Sequence, residues 1–171
     1  MFKIILLILF LISSVANAQN IKNIEIEGNK RIPKNTIIMF SDVSVGDKTN
    51  SINTNIILKN LYDTNFFSDV QIDLNENILK IKVVEFPIVQ NVLIEGIKSQ
   101  KIKDELLDNI LFKERTSFNE IYLNDERDNF KRILQKKGYY FSDIQIFIEN
   151  ISDNKINLKY LVDLGEKSKI R

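Results

Sequence analysis

With 171 residues, 24 basic and 23 acidic side chains, the chain carries a formal charge of +1 and lacks the basic excess that marks nucleic-acid binding. It contains no histidine and no cysteine, which removes the commonest general base, the commonest transition-metal ligands and any disulfide framework. Stability must therefore come from packed apolar side chains and from contact between folded units.

The chain opens with Lys3, an apolar run from Ile4 to Ile12, and the small-x-small triplet Ala16-Asn17-Ala18. This pattern predicts a secretory signal peptide over residues 1–18, cut between Ala18 and Gln19, with Ala16 and Ala18 as the small residues read at the cleavage site. The run is nine residues long, far short of the ~20 that cross a bilayer as a helix. No cysteine follows it, so a lipid-anchored mature N-terminus is excluded and the mature chain is expected to be exported and soluble.

The remainder holds an internal repeat. Ile26-Glu27-Gly28 followed by Phe67-Ser68-Asp69-Val70 returns as Ile94-Glu95-Gly96 followed by Phe141-Ser142-Asp143-Ile144. The offset is 68 residues at the first marker and 74 at the second, so two tandem copies of one unit are expected, the later with a short insertion.

In chain order, Ile24 and Ile26 alternate with Asn23, Glu25 and Glu27 as a strand, and Val92 and Ile94 open the second copy alike. Gly28-Asn29 turns the chain, and Pro33 suits the first position of a helix running to about Phe40. Its counterpart is predicted over Lys101–Leu111, where Ile102, Leu106 and Ile110 share a face. Ser51 and Ser117 are expected to cap a second helix, with Ile57 and Leu61, then Phe130 and Leu134, on its buried side. Ser51-Ile52-Asn53 matches Ser117-Phe118-Asn119 at an offset of 66, whereas Leu61 matches Leu134 at 73. Seven residues are thus inserted in this helix, about two turns, which keeps the buried face in phase. Asn65 and Gly138 end these helices at positions that favour a left-handed backbone, and Lys136 and Lys137 sit at the negative end of the dipole.

Two strands close each copy as a hairpin. Val70, Ile72 and Leu74 are inward and return as Leu79, Ile81 and Val83; Ile144, Ile146 and Ile148 return as Ile156, Leu158, Tyr160 and Val162, with Asp153-Asn154 at the turn. Each unit is α+β, in β-α-α-β-β order, a three-stranded mixed sheet covered on one face by two helices.

The succession Ile26-Glu27-Gly28-Asn29-Lys30-Arg31-Ile32, Gly46-Asp47 and Leu61-Tyr62-Asp63-Thr64-Asn65-Phe66-Phe67-Ser68-Asp69-Val70 resembles the first POTRA domain of BamA-type outer-membrane protein assembly factors. Glu126-Arg127-Asp128-Asn129-Phe130 through Gly138-Tyr139-Tyr140 is similar to the second. Asn65 stands where the family usually has glycine. The resemblance implies a POTRA domain over residues 19–87, a second over 88–166, and in 167–171 the start of a linker to a further domain. It implies a periplasmic location in a Gram-negative bacterium, no cofactor, and unfolded outer-membrane proteins and assembly-complex lipoproteins as partners. The outer membrane would be reached through a C-terminal barrel that this sequence does not contain. A two-partner-secretion pore with the same repeats is the alternative, and a cell-division scaffold would keep its N-terminal anchor.

The implied route to clients is strand addition, in which an exposed sheet edge pairs with an extended peptide. The family places the hairpin's first strand at that edge, here Ser68, Asp69, Val70, Gln71, Ile72, Asp73 and Leu74, and Ser142, Asp143, Ile144, Gln145, Ile146, Phe147, Ile148 and Glu149. The competing reading is a protected edge blunted by Asp69, Asp73 and Asp143. Phe147 and Leu161 fall on the outward phase of opposite hairpin strands. A small recognition patch is one reading of them; packing against the neighbouring domain or ordinary exposure is preferred. Lys30, Arg31 and Lys34 read as a solvated basic loop. Catalysis and metal binding find no support: Gly46-Asp47-Lys48-Thr49 lacks the phosphate-loop spacing, Asp153-Asn154-Lys155-Ile156-Asn157 lacks the calcium-loop ladder, and serines without histidine make no usual triad.

Overall fold

A computed structural model describes residues 20–151 and 154–168. The signal-peptide residues with Ala16, Ala18 and Gln19, the turn residue Asp153, and the last three linker residues lie outside them. The first unit runs β1 (Asn23–Glu27), α1 (Lys34–Ser41), a 3₁₀ turn (Thr49–Ser51), α2 (Thr54–Asp63), β2 (Phe67–Asn75) and β3 (Ile78–Glu85). The second runs β4 (Ile88–Glu95), α3 (Gln100–Asp108), a 3₁₀ turn (Glu120–Tyr122), α4 (Leu123–Lys136), β5 (Asp143–Asn150) and β6 (Lys155–Asp163).

Each unit holds a three-stranded mixed sheet, ordered β1-β3-β2 and β4-β6-β5. The opening strand runs parallel to the last one, which lies in the centre and pairs antiparallel with its hairpin partner. The alternation sets the register as expected: Val70, Ile72 and Leu74 face Val83, Ile81 and Leu79, and Ile144, Ile146 and Ile148 face Val162, Tyr160 and Leu158. The inward residues and the buried helix faces form two separate cores. One includes Ile26, Ile37, Ile57, Leu61, Phe67 and Ile81; the other includes Ile94, Leu106, Phe130, Leu134, Leu158 and Tyr160.

The insertion falls where the spacing put it. Helix α4 has 14 residues against 10 in α2, and the three-residue 3₁₀ turn ahead of α4 makes up the rest. The expected serine caps are corrected. Asn53 caps α2 by accepting from Asn55 N at 3.0 Å, and Asn119 accepts from Ile121 N at 3.1 Å. Ser51 instead donates to Lys48 O at 2.7 Å within the preceding turn. In the first unit the 3₁₀ turn ends at Ser51, so the cap of α2 falls two residues later on Asn53; in the second, Asn119 caps the 3₁₀ turn that leads into α4, whose own first turn has no side-chain cap. Pro33 is the residue before α1 rather than its first: it is extended at φ −60°, ψ 146°, and its carbonyl accepts from Thr36 N and Ile37 N. Helix α3 starts one residue early and stops at Asp108, because Asn109 turns its side-chain amide back onto Glu105 O at 2.8 Å; Ile110 stays buried beyond the end.

Gly28 and Gly96 take φ of +81° and +87°, and a Cβ on either would lie 2.1 Å from the carbonyl oxygen of Val83 or Val162. The opening strand thus leaves its sheet by passing against the central strand, which only glycine permits. Asn65 and Gly138 are both left-handed, φ 55° and 92°, as the helix-end reading requires.

Candidate strand-addition edges and the domain junction

The residues expected to receive clients belong to β2 and β5, and both are edge strands. Ser68 sits at a break in the β2–β3 register between Phe67 and Asp69, and its hydroxyl donates to Val84 O at 3.2 Å. Such a bulge interrupts an edge and discourages pairing there. Ser142 is corrected out of the strand: it precedes β5, is buried, and its hydroxyl donates to Tyr139 O at 3.3 Å.

Each edge also has one backbone group already engaged by a helix. Val70 N donates to the Tyr62 hydroxyl at 3.1 Å, and Arg127 Nε donates to Ile144 O at 3.3 Å. Val70 and Ile144 are equivalent positions, so the two repeats guard the same place on the edge with different side chains. The later part of each strand carries no such guard among the described residues: Gln71, Ile72, Asp73 and Leu74 on β2, and Gln145, Ile146, Phe147, Ile148 and Glu149 on β5. Asp69 and Asp143 lie in the guarded stretch, and Asp73 is the acidic residue on the open part of β2. Beside the end of β5, Ile148 and Asn150 border a pocket of about 370 Å³ closed by Phe86, Pro87 and Phe118.

Lys30, Arg31 and Lys34 are exposed, as expected of a solvated basic loop, but the backbone of that loop is fastened inward. Lys30 N, Arg31 N and Ile32 N all donate to the buried Glu85 carboxylate at 2.8–3.2 Å, and Arg31 Nε lies 3.6 Å from it. The Arg31 guanidinium also stands 5.7 Å from the centre of the Phe66 ring and donates to the Ser117 hydroxyl of the second unit at 3.1 Å. A turn with three amides aimed inward attracts a carboxylate, and the neighbouring arginine balances its charge. From the other side Asn154 Nδ2 donates to Glu85 O and Phe86 O at 3.0 and 3.2 Å, while Ile88 N donates to Asn154 O at 2.9 Å. Glu85 thus lies at the centre of the junction between the units. Its sequence signal was its phase, since it continues the inward series Leu79, Ile81, Val83.

A second buried carboxylate escaped the sequence reading. Glu126 on α4 accepts from Leu111 N at 3.1 and 3.2 Å and from the Tyr160 hydroxyl at 3.1 Å. Burial pushes its carboxyl above the usual range, against the pull of those donors, and burial beside Glu126 raises the Tyr160 phenol too. Glu126 lies one turn before Phe130 on the apolar face, which was its signal. Among the described residues, no helix is long and apolar enough to cross a membrane.

Known proteins extend this picture. The POTRA family model, described as surface antigen variable number repeat, matches residues 19–85 and again 87–165. The chain is 28% identical over 153 residues to the outer membrane protein assembly factor BamA of Neisseria meningitidis serogroup B, covering 88% of this chain and 19% of that protein. It is 29% identical over 169 residues to BamA of Neorickettsia risticii, covering 95% of this chain and 22% of that protein. The chain therefore spans about a fifth of the length of these relatives. Among solved structures, the N-terminal domain of Omp85 from Thermosynechococcus elongatus superposes with a TM-score of 0.53 at 16% identity, over 82% of this chain and 61% of that one, a likeness of fold. Two repeats, each with the β-α-α-β-β order and mixed sheet described above, place this chain in the POTRA family.

Proposed function

We propose that the chain is the periplasmic part of an outer-membrane protein assembly factor, exported with cleavage between Ala18 and Gln19, which receives unfolded outer-membrane proteins by strand addition. The similarity to BamA over most of this chain supports the assembly role, and lipoproteins of the assembly complex are its further partners. The observation that carries the mechanism is the sheet order, which leaves β2 and β5 as edges in both repeats. Backbone pairing accepts many client sequences because it reads amides and carbonyls rather than side chains. The domain limit proposed between 87 and 88 is supported by the shortness of the Phe86-Pro87 connection, after which β4 begins at Ile88.

The test is amide NMR of the mature chain titrated with a synthetic peptide of alternating apolar and polar residues, alongside a copy N-methylated at every second residue. Shifts confined to Gln71–Leu74 and Gln145–Glu149, and lost with the methylated copy, are the expected result. Equal binding of both peptides, or shifts away from the two edges, would overturn strand addition. Intact-mass measurement of the exported chain tests the cleavage: a mature N-terminus other than Gln19 refutes it.

A further inference from the structure

The two sheets share one register over their central rows, and their helix-free faces differ there in one consistent way. In the first, a row of Glu25, Lys80 and Asp73 lies beside a row of Glu27, Lys82 and Gln71. In the second, the matching rows are Leu93, Lys159 and Phe147, then Glu95, Leu161 and Gln145. The ion pair Lys80–Glu27, at 2.8 Å, has its equivalent in Lys159–Glu95 at 2.7 Å. The other three charged positions have become Leu93, Phe147 and Leu161, which are 51%, 49% and 38% exposed. The exposed apolar residues of the first face, Ile78 and Val84, stand apart toward opposite ends of β3 with the charged lattice between them. Packing against the first domain does not account for Phe147 and Leu161, because the junction is built from Glu85, Phe86, Asn154 and Ser117 instead.

From this we infer that the open face of the second sheet is a docking surface for a partner helix whose apolar stripe is flanked by lysine or arginine. The apolar residues come from all three strands, which at ~4.8 Å apart span about 10 Å, the width of a helix. Phe147 and Leu161 border a shallow hollow of about 400 Å³ together with Glu95 and Lys159. The charge of the rim selects the flanks. Lys159 is neutralised by Glu95, whereas Asp143, Asp163 and Glu149 enter none of the ion pairs among the described residues. Among the described residues of this face Lys155, at the far end of β6, is the remaining cation; Asp143 and Asp163 stand at one end of the patch and Glu149 toward the other. A second copy of this chain would bring those carboxylates against their own kind, which disfavours self-association. An extended client pairs with an edge, not a face, so this surface is separate from the strand-addition edges.

The internal repeat also supplies the variants. Leu93→Glu, Phe147→Asp and Leu161→Lys install the residues that the first domain carries at the same register positions, so the sheet tolerates them; Glu25→Leu, Asp73→Phe and Lys82→Leu make the reverse graft. The probe is a model helix of roughly five turns, about 18 residues, with a leucine stripe and lysine flanks, compared with the same helix carrying glutamate flanks. Binding to the labelled mature chain is read by amide NMR, and oligomeric state by sedimentation. Expected are shifts at Leu93, Phe147, Lys159 and Leu161, an affinity at least about tenfold weaker in the triple variant and with the glutamate helix, and gained binding on the first sheet in the reverse graft. Shifts along Gln145–Glu149 alone, equal response of both domains, indifference to flank charge, no shifts, or a dimer held through this face would each overturn the assignment.

Discussion

Each repeat buries one glutamate, and the two glutamates do similar work on different loops. In the first repeat Glu85, at the end of the central strand, collects the three amides of the loop between β1 and α1. The close approach of Gly28 to Val83 and of Gly96 to Val162 sets the correspondence between the central strands, and it puts Leu164 where Glu85 stands. Leu164 packs on the second core, and the preceding loop there is closed by buried Ile97. The second repeat places its carboxylate on α4, where Glu126 holds the Leu111 amide and the Tyr160 hydroxyl; the first repeat has Ile81 at the Tyr160 position. The apolar phases are common to both units and specify the fold. The buried charge goes wherever a local loop leaves backbone amides facing the core, because an unpaired buried amide is costly.

That comparison breaks if the two carboxylates prove dispensable, and the largest effect is expected at Glu85. Glu85→Ala strands three amides and Arg31, and should cost the first domain about 3–5 kcal/mol, read by urea unfolding with probes in each domain. Glu85→Leu, which copies the second repeat, should not restore it, since the loop ahead keeps its amides. Next comes Tyr160→Phe, expected to destabilise the second domain by about 1–2 kcal/mol and leave the first unchanged; a loss shared by both domains would mean the cores are not independent.

A pH comparison sharpens the point. Because burial raises the folded-state pKa of Glu126, its protonated form favours the fold. That contribution is complete below the ordinary carboxylate pKa and is lost as pH rises through the raised value. The stability of the native protein minus that of Glu126→Gln should therefore fall as pH rises above the ordinary carboxylate range, which begins at about pH 4. A flat difference would show that Glu126 is no worse solvated in the fold than out of it. The smallest effect is expected from Ser117→Ala, within about 0.5 kcal/mol, because its partner Arg31 stays held by Glu85; the measurable change is looser relative orientation of the domains by residual dipolar couplings.

Most of the fold was legible because inward phases are written in apolar residues. Val70–Ile72–Leu74 and Ile144–Ile146–Ile148 gave the hairpin registers, and the offset between Asn53–Asn119 and Leu61–Leu134 gave the lengthened helix. What stayed hidden was polar and non-local. Ser51 and Ser117 drew the capping assignment because serine is a common cap, yet the tight turns near them, ending at Ser51 in one unit and starting at Glu120 in the other, are not marked in their residue types. Arg31 looked like surface charge because its partners, Glu85 and Ser117, lie 54 and 86 positions away. The edges were foreseen through the family resemblance, but the guards on them were not: Tyr62 and Arg127 reach Val70 and Ile144 from separate helices. Glu85 and Glu126 sit in apolar phase, and a charged residue in that phase is a signal worth reading as a fastening for a nearby loop.

The parallel pairing of the first and last strands has a mechanical consequence. In both units the chain enters on an edge strand and leaves from the centre, and the two strands point the same way, so entry and exit lie at opposite ends of the ladder. Tension along the chain would load the β1–β3 hydrogen bonds in shear, all at once, rather than opening them one at a time as pulling apart a hairpin does. Only Phe86 and Pro87 separate β3 from β4, so the load passes almost directly from one sheet to the next.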